Sequence, residues 1–507
     1  MSSKVEIGKY TLESLTTGMY EQPLIVYREY IQNAVDALEE AFRQHLVSSM
    51  DMRIDITIDV ENRSIEILDN GVGIHANDAE RVLLSVGSSE KLHSESRGFR
   101  GIGRLGGLSY CDRLVFETTA AGSNTITHVE FNCVQLKELL LPGQSDGMSM
   151  EQVLNTVTSV RTELGEVDDH YFAVRMLDVS EDTGLLNEEE VIDYLSQTAP
   201  VPYPPYFFLS RHIHDYAKSH EITLTEFPVF VAANGKRPKS LYKACKRHYA
   251  SGNDGESAVY EVNLFDIYSP TTGALLAIGW YAETDWAGTI KDTSIRGLRL
   301  RAGNIQIGDE HTLDKIFKQS RFNGWTQGEV FVVNDALIPN ARRDNFELNR
   351  EYLELIKALT DGIGSEISTR IGAASRLRND PSKRVVDAAK KVQTEATHKI
   401  EQGFNSREEK EKTLQELEEK LRAVSTAKTK KPAIEEERKA VMEQLTQTLD
   451  AFEDVATYKS DALRGVLSKK EMNILRVASD VMTMYLDQEL LDQIMNEIIA
   501  RLSRKST

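Results

Sequence analysis

Three short groups of residues in the first 110 positions combine carboxylates, an amide and closely spaced glycines. The first group is Glu29, Asn33 and Asp36, within the sequence YREYIQNAVDAL. On a helix, positions i, i+4 and i+7 share one face, so two acids and an amide point the same way. An Asn carbonyl oxygen suits Mg²⁺, and a nearby carboxylate can orient or deprotonate an attacking water. Charged surface helices also produce this pattern by chance, so the group indicates a site only together with the other two.

The second group is Asp69-x-Gly71-x-Gly73, in the sequence ILDNGVGI, directly after an apolar run typical of a strand. A carboxylate at a strand end can accept a hydrogen bond from an exocyclic amine such as the amino group of adenine. The glycines let the backbone turn sharply and approach a ligand closely. Taken alone, the same turn is also typical of an ordinary hairpin.

The third group is Gly98-x-x-Gly101-x-Gly103, in RGFRGIGRLGGL. Closely spaced glycines expose backbone N–H groups that can hold phosphate oxygens at the start of a helix. The stretch also matches the dinucleotide-binding fingerprint through Gly101, Gly103 and Gly106, but that fingerprint should follow an apolar strand directly. Here the preceding residues are EKLHSESRGFR, which are polar and charged, and the chain contains no GxxxxGK[ST] sequence.

In this order and spacing, the three groups resemble the GHKL, or Bergerat-fold, ATPase superfamily, which includes gyrase, the ninety-kilodalton heat-shock chaperones, histidine kinases and mismatch-repair ATPases. The resemblance implies that Glu29 is the general base, that Asn33 is the Mg²⁺ ligand and that Asp69 contacts the adenine of ATP. The lysine of VGSSEK corresponds to that of the chaperones' Leu-Gly-Thr-x-x-Lys, although it could equally be a solvated side chain. The further nucleotide contacts that the resemblance implies are Asp36, Gly71, Gly73, Lys91, Gly98, Gly101 and Gly103.

Within the superfamily, the sequence is most similar to the heat-shock chaperones. Histidine kinases lack a glutamate four residues before the Asn, and gyrase-type enzymes carry a much larger DNA-cleaving portion. The segment NDALIPNARRDNFE resembles the chaperones' middle-domain loop Asp-Leu-Pro-Leu-Asn-x-Ser-Arg-Glu through Asn340, Arg343 and Asp344. This implies that Arg343, or its neighbour Arg342, reaches the γ-phosphate and stabilises charge during phosphoryl transfer. A loop arginine paired with Asp344 is the alternative.

The sequence departs from the chaperone pattern in several places. Arg104 stands where chaperones carry an aromatic residue, and Glu347 where they often carry a glutamine. The threonine that usually assists adenine recognition could be Thr156, Thr158 or Thr162. The last 130 or so residues resemble no chaperone dimerisation domain.

The elements that must position these groups indicate an α/β protein with three regions. Residues 1–180 are predicted to form the ATPase domain, an α/β sandwich, because an amphipathic helix over 23–47 is followed by short strand patterns such as RIDITID and SIEILD. Residues 181–375 alternate strand and helix patterns and predict a second α/β domain. Residues 376–507 are predicted to form a charged, helical region that contains a coiled coil and a possible dimerisation element.

This last region is predicted to contain a helical hairpin or coiled coil and a final amphipathic helix. The hairpin follows from two sets of apolar residues that flank the polar segment TAKTKKP, the first of them at 3-4-3 spacing. They are Leu414, Leu417, Leu421 and Val424, and then Ile434, Val441, Leu445 and Leu449. The final helix, about 470–503, is expected either to pack on its own domain or to form a homodimer seam.

Composition favours a cytoplasmic protein. The net charge of -19 argues against a nucleic-acid partner, and the three cysteines, Cys111, Cys133 and Cys245, lack the spacing of a zinc site. The N-terminus lacks a secretory leader pattern, and no apolar run approaches the roughly 18 residues of a membrane span.

The resemblance as a whole implies an ATP-dependent, chaperone-like conformational clamp that uses ATP and Mg²⁺ and works as a homodimer on an unidentified client. ATP is expected to order residues 75–107 and to draw the Arg343 loop onto the γ-phosphate. A nucleotide-switched scaffold, whose C-terminal helices bind a partner protein or nucleic acid, is the second hypothesis. A phosphotransfer kinase is the third.

Overall fold

The structure, a computed structural model, describes residues 8–15, 22–86, 103–144, 147–252, 255–378, 381–404, 407–429, 432–455, 467–483, 486 and 488–504. The chain divides into two compact units, Met1–Ser368 and Thr369–Thr507. The first unit mixes helices and strands, and the second is helical. The predicted α/β fold class with a helical C-terminal region is therefore confirmed.

An eight-stranded sheet forms the first half of the larger unit, with strand order β5-β4-β3-β6-β2-β1-β7-β8. Neighbouring strands are antiparallel except for β1 and β7, which are parallel. The strands are β1 (Ile54–Asp59), β2 (Ser64–Asp69), β3 (Arg113–Thr119), β4 (Thr125–Asn132), β5 (Thr158–Leu164), β6 (Tyr171–Leu177), β7 (Val229–Ala233) and β8 (Lys239–Ser240). The helices are α1 (Tyr10–Leu15), α2 (Ile25–Arg43), α3 (Ala76–Leu84), α4 (Cys133–Leu140), α5 (Met150–Val157), α6 (Glu188–Thr198) and α7 (Ser210–Ser219).

Helix α2 lies against this sheet and is buried along most of its length. Strand β1 alternates as its sequence predicts, with Ile54, Ile56 and Ile58 buried in the core and the residues between them more exposed. Burial of one face in this way fixes the register of the strand, since a one-residue shift would expose all three isoleucines. The sheet thereby provides a rigid support for α2 and for the turn that follows β2.

The predicted domain boundaries at residues 180 and 375 remain predictions. Strands β7 and β8 belong to the first sheet, although they lie well beyond residue 180. The backbone N–H of Phe227 also donates to the carbonyl oxygen of Pro200, in the proline-rich stretch APVPYPPYF. The chain therefore returns to the first sheet before it begins the second one.

A five-stranded sheet with order β11-β12-β15-β13-β14 follows, together with the short pair β9 and β10. The strands are β9 (His248–Ser251), β10 (Gly255–Ala258), β11 (Glu261–Tyr268), β12 (Leu275–Glu283), β13 (Gly297–Ala302), β14 (Ile305–Ile307) and β15 (Gln327–Val332). Helices α8 (Arg350–Leu359) and α9 (Ser365–Arg378) come next, joined by the π-helical turn Thr360–Gly364. The loop between β15 and α8 contains the sequence NARRD.

A buried charged cluster lies at the centre of this second sheet. The carboxylate of Glu329 on β15 is paired with Arg301 and with Lys243, whose Nζ lies 3.2 Å from Oε1, and it accepts hydrogen bonds from Tyr203 and Trp280. Arg301 also donates to the carbonyl oxygen of Gln197 near the end of α6, at 2.9 Å. The cluster therefore attaches α6 to the second sheet.

Besides most of α9, the smaller unit contains five further helices in its described residues. They are α10 (Pro381–Gln402), α11 (Arg407–Thr426), α12 (Pro432–Val455), α13 (Lys469–Thr483) and α14 (Gln488–Arg504). The predicted hairpin arms correspond to α11 and α12, but α10 packs against both. The apolar residues of the two arms thus belong to a three-helix core, which includes Val386, Leu417, Val441, Leu445 and Phe452.

The predicted final helix over 470–503 is represented by two helices, α13 and α14. They contact each other through Met472, Leu475, Leu491 and Met495. The apolar stripe is therefore divided: Leu491 is buried between the two helices, whereas Val477 and Val481 on α13 are exposed. Across the described ranges, no helix has the length and apolar character needed to span a membrane.

Candidate functional site

Helix α2 carries the first group of candidate residues. Glu29 and Asp36 are buried, and Asn33 is half-buried between them. The helix begins at Ile25, two residues after Pro23, a residue suited to a helix start. The polar residues are thus held inside an otherwise apolar helix, where an ionised carboxylate needs specific partners.

The turn after β2 lies directly on α2. The backbone N–H of Val72 donates to the carbonyl oxygen of Ala37 at 3.2 Å. A Cβ at Gly71 would lie 2.6 Å from the Cβ of Ala37, so only glycine fits at this approach. The Asp69 carboxylate accepts the Gly71 N–H at 2.9 Å. Because Ala37 is one helical turn beyond Asn33, the first and second groups are brought together.

The sheet holds the same turn from its other side. Gly73 has φ +64°, and a Cβ there would overlap the carbonyl oxygen of Thr119. The Thr118 hydroxyl accepts the Ile74 N–H at 2.9 Å and donates to the carbonyl oxygen of Tyr171 at 2.9 Å. His170 Nδ1 donates to the carbonyl oxygen of Gly71 at 2.8 Å. These supporting residues are not evident from the sequence, because nothing in the residues around them shows which strands adjoin β2.

The three threonines considered for adenine recognition lie elsewhere. Thr156 is on α5, and Thr158 and Thr162 are on β5, the outermost strand of the sheet. Strands β4, β3 and β6 separate β5 from β2, a distance of about 19 Å at the usual strand spacing. Thr118 on β3 is instead the threonine whose side chain hydrogen-bonds the turn that follows Asp69.

The described part of the third group is a short 3₁₀ helix, Gly103–Ser109, here called the glycine helix. A Cβ at Gly103 would overlap Oε2 of Glu29, so this glycine brings the backbone against the candidate base. The hydroxyl of Tyr30 accepts the Gly107 N–H and donates to the carbonyl oxygen of Arg104, both at 3.1 Å. The other predicted contacts of this group, Lys91, Gly98 and Gly101, lie outside the described residues.

Arg104 links the glycine helix to the end of α3. Its Nε donates to the carbonyl oxygen of Leu83 at 3.3 Å, and its Nη2 donates to that of Ser85. Burial lowers the pKa of the Arg104 guanidinium to about 10, so the group stays charged at neutral pH. A cation beside the last carbonyls of a helix is electrostatically favourable. An arginine therefore has a structural reason to occupy a position that is aromatic in the chaperones.

The NARRD loop, which is distant from Glu29 in the sequence, brings a cation to the Glu29 carboxylate. Nε of Arg343 lies 3.7 Å from Oε1 of Glu29, and the Arg28 guanidinium lies 3.4 Å from the same oxygen. Arg28 also donates to the backbone carbonyl of Arg342 at 3.1 Å. Of the two candidate arginines, Arg343 therefore contacts Glu29 with its side chain, whereas Arg342 contacts Arg28 through its backbone.

The loop holds this geometry with bonds of its own. The backbone carbonyl of Arg343, which has φ +56°, accepts the Gly308 N–H at 2.8 Å. Asp344, the alternative partner considered for Arg343, accepts a hydrogen bond from the Asn340 side chain at 2.6 Å. The side chains of Glu29 and Arg343 are only 10% and 11% exposed, so solvent screens their interaction weakly.

Residues 21–158 match the family model described as "Histidine kinase-, DNA gyrase B-, and HSP90-like ATPase". The matched stretch includes α2, the turn after β2 and the glycine helix, which are the elements that form the site around Glu29. Residues 21–158, about a quarter of the chain, are therefore a domain of the GHKL ATPase type.

Three bacterial relatives illustrate the similarity, each described as chaperone protein HtpG. The protein of Acinetobacter baylyi is 26% identical over an alignment of 129 residues, which covers 22% of this chain and 20% of the relative. The protein of Helicobacter hepaticus is 30% identical over 129 residues, or 22% and 21% of the two chains. That of Mycolicibacterium gilvum is 29% identical over 143 residues, or 24% and 22%. The matches span about a fifth of the length of each relative.

Proposed function

We propose that this chain is a Mg²⁺-dependent ATP hydrolase that works as an HSP90-like conformational clamp. The observation that carries the proposal is the contact between Glu29 and Arg343, because it joins the ATPase domain to a loop of the second sheet. A cation brought from a separate element is a common way to stabilise charge during phosphoryl transfer. The match over residues 21–158 supports ATP as the nucleotide.

Each group of residues has a distinct role in this proposal. The Asp69 carboxylate, which accepts a hydrogen bond from the Gly71 N–H at the strand end, accepts another from the amino group of adenine. Glu29 accepts a proton from the attacking water, and the residues proposed to contact the phosphates are Gly103, Lys91, Gly98 and Gly101. Asp36, Gly71 and Gly73 complete the nucleotide contacts.

Asn33 is the proposed ligand of Mg²⁺. Its position is half-buried on the helix that also carries Glu29, and its carbonyl oxygen is the hard donor that Mg²⁺ prefers. Bound Mg²⁺ would neutralise charge on the phosphates. We expect Asn33→Ala to remove the dependence of ATP affinity on Mg²⁺, measured by calorimetric titration with and without the metal. Asn62→Ala, in the turn between β1 and β2, is the control.

The clamp works through a change of partner at Arg343. In the described structure Arg343 is paired with Glu29, a carboxylate that must be available to water during hydrolysis. When ATP binds, Arg343 moves to the γ-phosphate and leaves Glu29 available as the base. Loss of the γ-phosphate then returns Arg343 to Glu29, so the loop alternates between two partners. A homodimeric, cytoplasmic protein acting on client proteins is the setting that we propose.

A nucleotide-switched scaffold is the second candidate function. It is favoured by the helical unit over 369–507, because Ile474, Val477 and Val481 form an exposed apolar stripe on α13. In that case the helices bind a partner protein or nucleic acid, and the nucleotide controls the binding. Suppression of the aggregation of an unfolded protein would favour the clamp, whereas partner-stimulated hydrolysis without such suppression would favour the scaffold.

The proposed ATPase is tested with Glu29→Ala. We expect this variant to bind Mg·ATP while hydrolysis falls by about 10²-fold or more, which is the usual contribution of a positioned general base. Glu40→Ala, on the same helix but in a surface pair with Arg43, should keep the wild-type rate. Hydrolysis by Glu29→Ala at the wild-type rate would remove Glu29 from the mechanism. The trapped Glu29→Ala protein is also suited to isolating the client or partner.

A further inference from the structure

We propose that Arg104 is a positioning residue for the ATPase reaction, which holds the glycine helix against Glu29 through contacts on both of its sides. This inference rests on the proposed function, but the contacts that carry it can be tested without activity. Arg104 touches neither Glu29 nor Asp69 in the contacts described above. Its role would therefore be exerted through Gly103, the residue that precedes it.

The side chain of Arg104 makes the first connection. The guanidinium bridges two carbonyl groups, those of Leu83 and Ser85, which are two residues apart at the end of α3. Leu83 is packed in the hydrophobic core, so the end of α3 is a fixed support. A planar guanidinium presents several donors in a rigid fork, and a lysine in its place would present a single ammonium.

The backbone of Arg104 makes the second connection. Its carbonyl oxygen accepts the hydroxyl proton of Tyr30, and the same hydroxyl oxygen accepts the N–H of Gly107. Tyr30 is buried and directly follows Glu29 on α2. The glycine helix is thus fastened to α2 at two points and to α3 at a third.

These connections converge on the candidate base. Gly103 lies so close to Oε2 of Glu29 that a methyl group there would overlap it. The backbone at Gly103 therefore limits the positions that the Glu29 carboxylate can take. Misplacing a catalytic group by about 1 Å can cost roughly 10²-fold in rate, so a small shift of this backbone would lower turnover. An ordinary capping role for Arg104 would instead change the stability of α3 alone.

The test compares Arg104→Ala, Arg104→Lys and Tyr30→Phe with the double variant Arg104→Ala/Tyr30→Phe. We expect kcat of Arg104→Ala to fall by about tenfold to 10²-fold while KM stays within about threefold, because ground-state nucleotide contacts are kept. Arg104→Lys should recover part of the loss, since it can still donate to one of the two carbonyls. The double variant should lose less than the product of the two single losses, because both residues hold the same segment. Arg113→Ala, which breaks a surface pair with Glu130, is the control.

Three outcomes would overturn the inference. They are an unchanged kcat for Arg104→Ala, a rise in KM at constant kcat, and strictly multiplicative losses in the double variant. Hydrogen exchange of the Gly103–Ser109 amides gives a readout that does not need ATPase activity, and it should become faster in Arg104→Ala. Unaltered exchange there would overturn the inference even if the protein is an ATPase. Conversely, faster exchange in a protein that hydrolyses no ATP would refute the proposed function while leaving the contact network in place.

Discussion

Nε of Arg343 lies 3.7 Å from Oε1 of Glu29; Glu29 is on α2, which packs on the first sheet, and Arg343 is in the loop that follows β15 of the second sheet. Arg28 approaches the same carboxylate oxygen at 3.4 Å, so two guanidinium groups fix the orientation of Glu29. The Glu29 carboxylate is therefore well oriented, but its Oε1 atom already interacts with two cations. The relationship therefore connects the position of the NARRD loop to the availability of the proposed base.

Arg343→Ala should lower ATP turnover in the full chain by at least about tenfold, because it removes a cation proposed to stabilise the transferring phosphoryl group. ATP affinity should change little, since the predicted nucleotide contacts lie in the first 110 residues. Arg342→Ala is a matched control, because its contact to Arg28 is made by the backbone carbonyl, which the substitution keeps. Steady-state turnover and calorimetric affinity would be measured for both. Wild-type turnover by the double variant of Arg342 and Arg343 would exclude this loop from the mechanism.

Asp69→Asn should weaken ATP binding by roughly 10- to 150-fold, the equivalent of about 1.5–3 kcal/mol for a charge-assisted hydrogen bond. The amide can still accept the Gly71 N–H, but it presents a mixed donor and acceptor face to adenine. Asp59→Asn is the control, because Asp59 accepts hydrogen bonds from Asn62 at the other end of β1. Titration calorimetry that gives an unchanged dissociation constant would place the adenine site elsewhere.

Gly103→Ala should reduce turnover, because the added methyl group would overlap the Glu29 carboxylate and displace it. The overlapping atom is the end of the Glu29 side chain, which can move, so we expect a lower kcat and little loss of stability. Gly362→Ala, where an added Cβ meets no atom within 4 Å, should leave turnover intact. Comparing kcat of the two variants tests the contact. Equal kcat values would show that Gly103 does not constrain Glu29.

The buried carboxylate of Glu329 should make the fold sensitive to acid. Burial alone would raise its pKa, but the charges of Arg301 and Lys243 and the hydrogen bonds from Tyr203 and Trp280 outweigh burial and hold the pKa at about 2. Because the folded pKa lies below the unfolded value near 4.5, the ionised carboxylate stabilises the fold above pH 4.5. This stability is lost progressively as the pH falls towards 2.

Urea unfolding followed by tryptophan emission would measure this effect, because Trp280 Nε1 donates to Glu329 at 3.0 Å. The urea concentration at the unfolding midpoint of the wild type should decrease as the pH is lowered from 5 to 3. Glu329→Gln should be less stable at pH 5, because it leaves Lys243 and Arg301 buried without their carboxylate, and its midpoint should depend less on pH. An equal pH dependence in both proteins would contradict the assignment to Glu329.

Much of the site could be predicted because its residues act locally. Helix α2 and the turn after β2 follow from periodicity and glycine spacing, and they bring Glu29 and Asp69 to neighbouring elements. The roles of Thr118 and His170 could not be predicted, because they depend on β3 and β6 lying next to β2. Local sequence does not specify the order of strands in a sheet.

The C-terminal region shows the same division between local and long-range information. The spacing of the apolar residues predicted that both hairpin arms are helical. It did not predict that a third helix, α10, packs against both arms and completes their core. The final amphipathic pattern is shared by α13 and α14, because each of the two helices has an apolar face. Sequence periodicity therefore identified the helices but not their number.

The homodimer proposed above makes a prediction about the last two helices. Light scattering should show a dimer for the full chain and a monomer for a chain that ends near residue 465, both without nucleotide. Val477→Glu/Val481→Glu should also be monomeric, because the two valines are 56% and 48% exposed and so are available to a second copy. Thr446→Glu, at an exposed position of α12, is the control. A monomeric wild type would refute this seam, and a dimeric truncated chain would move it to an earlier region.

The parallel pairing of β1 with β7 constrains how the protein can be synthesised. Ile54 pairs with Val229, so 175 further residues must be translated after Ile54 before the partner strand on this side of β1 exists. At 5–20 residues per second, this interval lasts about 9–35 s. During that time the backbone of β1 has an unpaired edge, which is a recognised hazard for aggregation. A nascent chain stalled before residue 229 should therefore be more prone to aggregation, and more dependent on ribosome-associated chaperones, than one stalled after residue 240.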